Sequence, residues 1–558
     1  MILSVVLTVF TSILFAQKET GELPYSFGKK GISQVIDVKT TPMTDVEKLL
    51  QDDARLQEKS HPLRTGVGYS MNSTIKNSGR TDITEDGGML WRVEFVSEGA
   101  VMTYLVFDKL DIPEEGKLFV YSPDRKQVFG PYTNADMQEV GKMVTDDIIG
   151  DEVIVEYYEP ANASYKGDLR IASVMHVYRD FLHVLDAEKG PIGNADGSCH
   201  INVACPEARV WRYPINSVVC IGITAYYYDD EIQQWGWGSF LCSGAMINNV
   251  RMDKTPYVLS ANHCVEADDQ THKFYFNYQT TECNGTTGNY RVATGGTIVA
   301  RSNTTNTYAS SDFLLLKITG FLGPTFRDSI FFAGWDRSGA ASLGACIHHP
   351  GGDWKKISFP KNVANATYGQ LANKYFVVTW RNNPNKGVTE QGSSGSPLFN
   401  GNSLIIGSLT SGSSACNYLN GTDNYGKMSY HWNNNGTSDV TKKLQPWLDP
   451  DNTGTVVLQG MRYDGTIITG IEEHEQSIST FEIYPNPASD GYITIQGEFI
   501  PETALCNIYN AMGQLVMSKE VTTDASFSLN VNALDNGVYV IEVVGSERNY
   551  KSKLIISR

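Results

Sequence analysis

The residues best suited to act together chemically are a histidine at 263, an aspartate at 312 and a serine at 394. Ser394 lies in Gln-Gly-Ser-Ser-Gly-Ser-Pro (391–397), a run of small residues that favours a tight turn. A serine hydroxyl is a poor nucleophile at neutral pH and needs a base to take its proton. It also needs N–H groups aimed where an oxyanion would form, and the amides of Gly392 and Ser394 can converge from such a turn. His263, in Leu-Ser-Ala-Asn-His-Cys (259–264), is the natural base, beside a cysteine able to staple its loop. Asp312 opens Asp-Phe-Leu-Leu-Leu-Lys-Ile, where a polar turn enters an apolar run. A carboxylate there can be buried beside an imidazole, fixing its tautomer and stabilising the imidazolium. Each residue alone has an ordinary reading as loop, core histidine or turn former. Together and in this order they point to nucleophilic acyl transfer.

The remaining histidines are weaker candidates. His348 and His349 look like a strand end entering a turn, and His431 has no partner motif. None has the His/Glu spacing of a zinc site, and no loop carries the regularly spaced acids of a calcium site. Neither a metal nor an organic cofactor is expected.

The elements that must hold these residues are mainly strands. Short runs rich in Val, Ile, Tyr and Phe, punctuated by turn residues, recur along the chain, among them 116–123, 152–158 and 169–178. A length of 558 residues calls for two to four domains. A net charge of −17 without a basic stripe argues against nucleic-acid binding. Residues 1–16 form an apolar run of signal-peptide length, lacking the usual basic start and too short for a membrane span. No other stretch suggests a transmembrane anchor. Of nine cysteines, all but Cys506 lie between 199 and 416, which fits an oxidising compartment and a stapled domain.

The order His, Asp, Ser suits the chymotrypsin-like double β-barrel, where one barrel supplies the first two residues and the other the serine. More specifically, the region from about 199 to 460 resembles the secreted lysyl endopeptidases. The matching blocks include Ser-Cys-His-Ile-Asn-Val-Ala-Cys-Pro-Glu (198–207), Phe-Tyr-Phe-Asn-Tyr-Gln (274–279), Ala-Gly-Trp-Asp-Arg (333–337), Ile-His-His-Pro (347–350), Gly-Val-Thr-Glu-Gln-Gly-Ser-Ser-Gly-Ser-Pro (387–397) and Asp-Asn-Tyr-Gly-Lys (423–427). The resemblance implies two six-stranded antiparallel barrels with the triad His263, Asp312 and Ser394 between them. It pairs Cys199 with Cys416, Cys205 with Cys283, and Cys242 with Cys264. Cys220 and Cys346 fall outside that set. A fourth bridge between them is an expectation, since sequence does not fix connectivity.

The resemblance also places a specificity aspartate at Asp423. A carboxylate at the base of a pocket suits a long aliphatic stem ending in a cation, so substrates should carry Lys before the scissile bond. Thr410 stands where family enzymes have a histidine, and Tyr368 is the nearest match to their tryptophan. Both departures loosen the expected preference for lysine over arginine, whose fork can also engage a carboxylate. An enzyme of this specificity would find a self-processing site at Lys189-Gly190.

The last segment, from about 480, carries Phe-Glu-Ile-Tyr-Pro-Asn-Pro-Ala-Ser-Asp (481–490) and Leu-Asp-Asn-Gly-Val-Tyr-Val-Ile-Glu-Val (534–543), short strands spaced for a small immunoglobulin-like β-sandwich. It resembles the C-terminal sorting domain of proteins exported by the type IX secretion machinery of Bacteroidetes. The expected organisation is a signal peptide (1–16), a β-rich propeptide (17–189), a trypsin-like serine protease domain (190–460), a linker (461–479) and the sorting domain (480–558). The expected protein is a secreted or surface-displayed serine endopeptidase acting on proteins or peptides. The rivals are a serine protease of different specificity and an inert, surface-displayed homologue that only binds.

Overall fold

In the computed structural model, residues 21–558 are described except 30, 56–60, 185–198, 230–232, 303–310, 321–325, 327–329, 370, 382–386, 434–435, 470–480, 498–501, 511–514, 524–525 and 545–548. The expected signal peptide and the Lys189-Gly190 bond lie outside the described residues.

The N-terminal part folds as two facing sheets. One contains β2 (Met89–Val96), β4 (Lys117–Tyr121) and β5 (Glu152–Glu159); the other contains β1 (Leu63–Thr74), β3 (Met102–Asp111) and β6 (Asp168–Val177). Trp91, Phe95, Phe107, Val155 and Ile171 fill the space between them. Three of these strands coincide with the alternating runs at 116–123, 152–158 and 169–178.

Two barrel-like circuits follow. The first comprises β7 (Val218–Asp229), β8 (Gln234–Ile247), β9 (Tyr257–Ser260), β10 (Thr271–Thr280), β11 (Gly288–Thr294), β12 (Gly296–Arg301) and β13 (Leu314–Ile318). β7 pairs with β8 and β10, β8 with β9, β10 with β11, and β13 with both β9 and β12. The run Phe313–Leu316 is apolar without alternation because both faces of β13 are covered: Leu315 faces one core, Leu314 and Leu316 another. That double burial anchors the chain where Asp312 leaves it.

The second circuit comprises β14 (Gly344–His348), β15 (Lys356–Ser358), β16 (Pro360–Tyr368), β17 (Leu371–Trp380), β18 (Pro397–Asn400), β19 (Ile405–Gly412) and β20 (Thr422–Lys427). β15 runs on into β16, and pairing then proceeds β16–β17–β20–β19–β18–β14 and back to β15. Beyond it, Gly460–Arg462 pairs with Phe331–Phe332 and with Ile467–Ile468, so strand pairing continues past 460. The first compact unit runs to Ile471.

The sheet of the N-terminal part is continuous with the first barrel. β1 lies antiparallel on β8, with Leu63 opposite Leu241, Arg64 opposite Phe240 and Gly68 opposite Trp237.

The second compact unit, 472–558, is a sandwich of a three-stranded and a four-stranded sheet. Tyr492–Gln496 shows the period-two pattern: Ile493 and Ile495 are buried with Leu529, Ile541 and Leu554, while Tyr492 and Gln496 face out. Cys506 is buried in this core.

Three disulfides are formed: Cys199–Cys416, Cys205–Cys283 and Cys242–Cys264. The expected Cys220–Cys346 bridge is not. Cys220 packs with Leu241, Tyr275 and Trp354, whereas Cys346 belongs to the core of Phe376, Leu398 and Tyr425. The β-like runs around both cysteines were real, but they point their sulfurs into different cores.

Candidate active site

His263 sits on a single helical turn, Asn262–Cys264, directly after β9. The Cys242–Cys264 bridge ties this turn to β8. Asp312 is fully buried and holds His263 at two points: Oδ1 accepts the backbone N–H at 2.9 Å and Oδ2 lies 2.8 Å from Nδ1. A carboxylate oxygen accepts, so Nδ1–H is the donor in this contact. Asp312 has φ +53, a left-handed conformation that aspartate tolerates better than most residues. Nε2 is buried and makes no hydrogen bond among the described residues, so its bond to the Ser394 hydroxyl is not made in this state. Catalytic contacts of this kind commonly tighten only when substrate binds.

The turn that carries Ser394 is held from several sides. Ser243, next to Cys242, donates its N–H to the Ser394 carbonyl at 2.8 Å and its hydroxyl to the Gly392 carbonyl at 2.9 Å. The same strand therefore secures both the histidine loop and the serine turn. The Gln391 carbonyl accepts from Gly351 N–H at 2.7 Å. Because a trans peptide points its N–H opposite its carbonyl, this contact turns the Gly392 N–H away from Gly351. Gly392 has φ +88, and a Cβ there would lie 2.9 Å from the His349 carbonyl, so glycine is required on both counts.

Asp423, on β20, is fully buried. Its Oδ2 accepts from Trp380 Nε1 at 2.6 Å, Thr389 Oγ1 at 2.7 Å and Ser414 Oγ at 2.5 Å. These are neutral donors, which orient the carboxylate without cancelling its charge. Gly412 is its cross-strand neighbour, and a Cβ at that position would fall 1.8 Å from Oδ1. The bare backbone leaves room for the carboxylate on that side. Thr410 is buried, and the half-buried Tyr368 packs its ring 4.9 Å from Tyr375 and takes a hydrogen bond from Ser411 Oγ at 2.8 Å.

Sequence reasoning missed the donors around Asp423 and the role of Ser243. Thr389 lies within the motif at 387–397, and a hydroxyl donor near a buried carboxylate is the signal that could have found it. Trp380 and Ser414 carry no local signal. His349 and His431 are core histidines whose charged forms burial disfavours, lowering both to about 3. Cys199, His200 and Cys416 bring ligand-type atoms within 4.8 Å of one another, but the two sulfurs are bonded to each other.

Comparison with known proteins finds sequences similar to the segment that carries this geometry. Residues 193–426 match the family described as lysyl endopeptidase, C-terminal domain. This segment is similar to lysyl endopeptidase C-terminal domains. Residues 482–557 match the secretion system C-terminal sorting domain, which directs the chain by the type IX route to the cell surface or the extracellular space. A lysyl endopeptidase of Pseudomonas aeruginosa is 32% identical over 283 residues, covering 48% of this chain and 56% of the relative. An ulvan lyase of Nonlabens ulvanivorans is 29% identical over 132 residues, 22% of this chain and 24% of the relative. The chain thus spans little more than half the length of the first relative and about a quarter of the second. No helix among the described residues is long and apolar enough to cross a membrane.

Proposed function

We propose that this chain is an exported serine endopeptidase that cuts after basic residues, lysine preferred and arginine admitted, and is made as a precursor. The observation that carries this reading is the doubly bonded His263–Asp312 pair, tied through β8 to the turn that presents Ser394. In the reaction, His263 Nε2 takes the Ser394 proton as Oγ attacks the scissile carbonyl. The N–H groups of Gly392 and Ser394 receive the developing oxyanion. His263 then gives its proton to the leaving amine, and water reverses the sequence to free the acyl-enzyme.

Asp423 supplies the specificity. A substrate ammonium or guanidinium at the end of a long stem would meet an oriented, buried carboxylate, whereas an acidic side chain would be repelled. That argument disfavours a protease specific for acidic residues.

The precursor reading rests on β1. Pro62 and Leu63 come to the edge of β8 one residue from Cys242, and Gln391 Nε2 reaches the Pro62 carbonyl at 3.4 Å. The Asp423 pocket is built from the second barrel. An occupied edge on the first barrel therefore blocks the leaving-group side of the cleft, and residues 17–189 act as a propeptide released by cleavage, with Lys189-Gly190 the proposed bond.

A fluorophosphonate probe, which phosphonylates only an activated serine, tests the reading. Processed wild type should take up one label at Ser394, and Ser394→Ala none. Wild type that resists labelling would instead be the inert binding homologue.

A further inference from the structure

The residue before the nucleophile, Ser393, is fully buried, and its hydroxyl is engaged rather than idle. Ser393 Oγ lies 2.8 Å from His348 Nδ1 and accepts the Glu390 N–H at 3.2 Å. On its other side, His348 Nε2 lies 2.9 Å from Ser358 Oγ, and Ser358 Oγ donates to the Val388 carbonyl at 3.2 Å. A carbonyl only accepts, so the single Ser358 proton goes to Val388, and Ser358 must receive its bond from His348 Nε2–H. His348 Nδ1 is then the acceptor for the Ser393 hydroxyl. The relay is complete: Glu390 N–H to Ser393, Ser393 to His348, His348 to Ser358, Ser358 to Val388. Glu390 is itself fixed, with Oε2 2.9 Å from His200 Nε2 and Oε1 accepting from Cys416 N–H at 3.1 Å.

Ser393 is the residue between the two proposed oxyanion donors. Rotation about its backbone swings the Ser394 N–H relative to that of Gly392. We propose that His348 is a positioning residue: by holding the Ser393 side chain it sets the convergence of those two N–H groups, without touching substrate. The proposal rests on the reading of Ser394 as nucleophile.

The test compares wild type with His348→Ala, Ser393→Ala, the double variant and the conservative His348→Asn, whose amide oxygen can still accept from Ser393. Each is assayed on a small lysyl ester, with active sites counted by the fluorophosphonate probe. Displaced oxyanion donors should lower kcat by about 10- to 100-fold. KM should stay within about twofold, because ground-state binding is untouched. The pH profile of kcat/KM should keep its shape, which loss of a proton-transfer residue would not allow. The double variant should be no worse than either single, since both remove one contact, and His348→Asn should recover most of the rate. An unchanged kcat per active site in Ser393→Ala and His348→Ala, or additive losses in the double variant, would overturn the proposal. Wild type that is neither labelled nor active would overturn the protease reading beneath it.

Discussion

Gln391 and Pro62 are 329 residues apart in the chain, yet Gln391 Nε2 donates to the Pro62 carbonyl at 3.4 Å. The contact joins the residue before the proposed oxyanion glycine to the start of β1, and it is continued by the ladder from Leu63–Leu241 to Gly68–Trp237. An exposed strand edge is a ready template for another chain. Here the protein's own N-terminal part occupies it.

That occupation is reinforced by a buried ion pair. Lys273 Nζ on β10 meets Asp147 Oδ1 at 2.6 Å, and Tyr275 donates to Asp147 Oδ2 at 2.7 Å. Asp147→Ala leaves the Lys273 ammonium, only 4% exposed, without this partner. Breaking such a pair costs about 3–5 kcal/mol. Urea unfolding of the precursor in a Ser394→Ala background, which blocks self-cleavage, should register the loss. In the wild-type background the same change should raise the peptidase activity of uncleaved precursor.

Asp312→Asn tests the tautomer argument. An amide in place of the carboxylate can present its NH₂ to Nδ1, moving the imidazole proton to Nε2, where it blocks general-base catalysis. A fall in kcat of about 10⁴-fold is expected, with the fold intact by circular dichroism. A fall of less than tenfold would mean that Asp312 does not set the tautomer.

Thr389→Val removes one donor from Asp423 while preserving shape. A hydrogen bond to a charged group contributes about 1.5–3 kcal/mol. The thermal midpoint should drop accordingly, and kcat/KM for lysyl substrates should fall more than for a neutral ester. Equal losses on both would place Asp423 outside the substrate pocket.

Lys355 gives a pH signature. It is fully buried, its Nζ donates to the Ile215 carbonyl at 2.9 Å, and burial lowers its pKa from 10.5 to about 7. Between about 7 and 10.5 the unfolded chain binds the proton and the folded chain does not, so stability contributed by this group rises with pH across that window. The slope is at most about 1.4 kcal/mol per pH unit. Lys355→Met should flatten the difference between urea midpoints measured at pH 7 and at about pH 9.5.

The proposed triad was legible because its signals are local: a small-residue turn around Ser394, a histidine beside a cysteine, an aspartate opening an apolar strand. The C-terminal sandwich was legible for the same reason, since the runs at 481–490 and 534–543 are short strands divided by turn signals. What stayed hidden depends on contacts distant in sequence. No feature of Pro62–Gly68 announces that it will pair with 237–241, and Trp380 reaches Asp423 across 43 residues. Cys220 and Cys346 misled because β-like surroundings say that a cysteine is in a strand, not which core its sulfur faces. His348 reads in sequence as a strand end, and the two serines that flank its nitrogens lie 10 and 45 residues away.

The central claim is tested most directly by a mass-spectrometric map of the bonds cut in a denatured protein rich in lysine and arginine, with wild type and Ser394→Ala run side by side. The account predicts cuts after Lys, fewer after Arg, and none in the variant. Cuts after acidic or apolar residues would contradict the role of Asp423. Cuts that persist in Ser394→Ala would contradict the nucleophile itself.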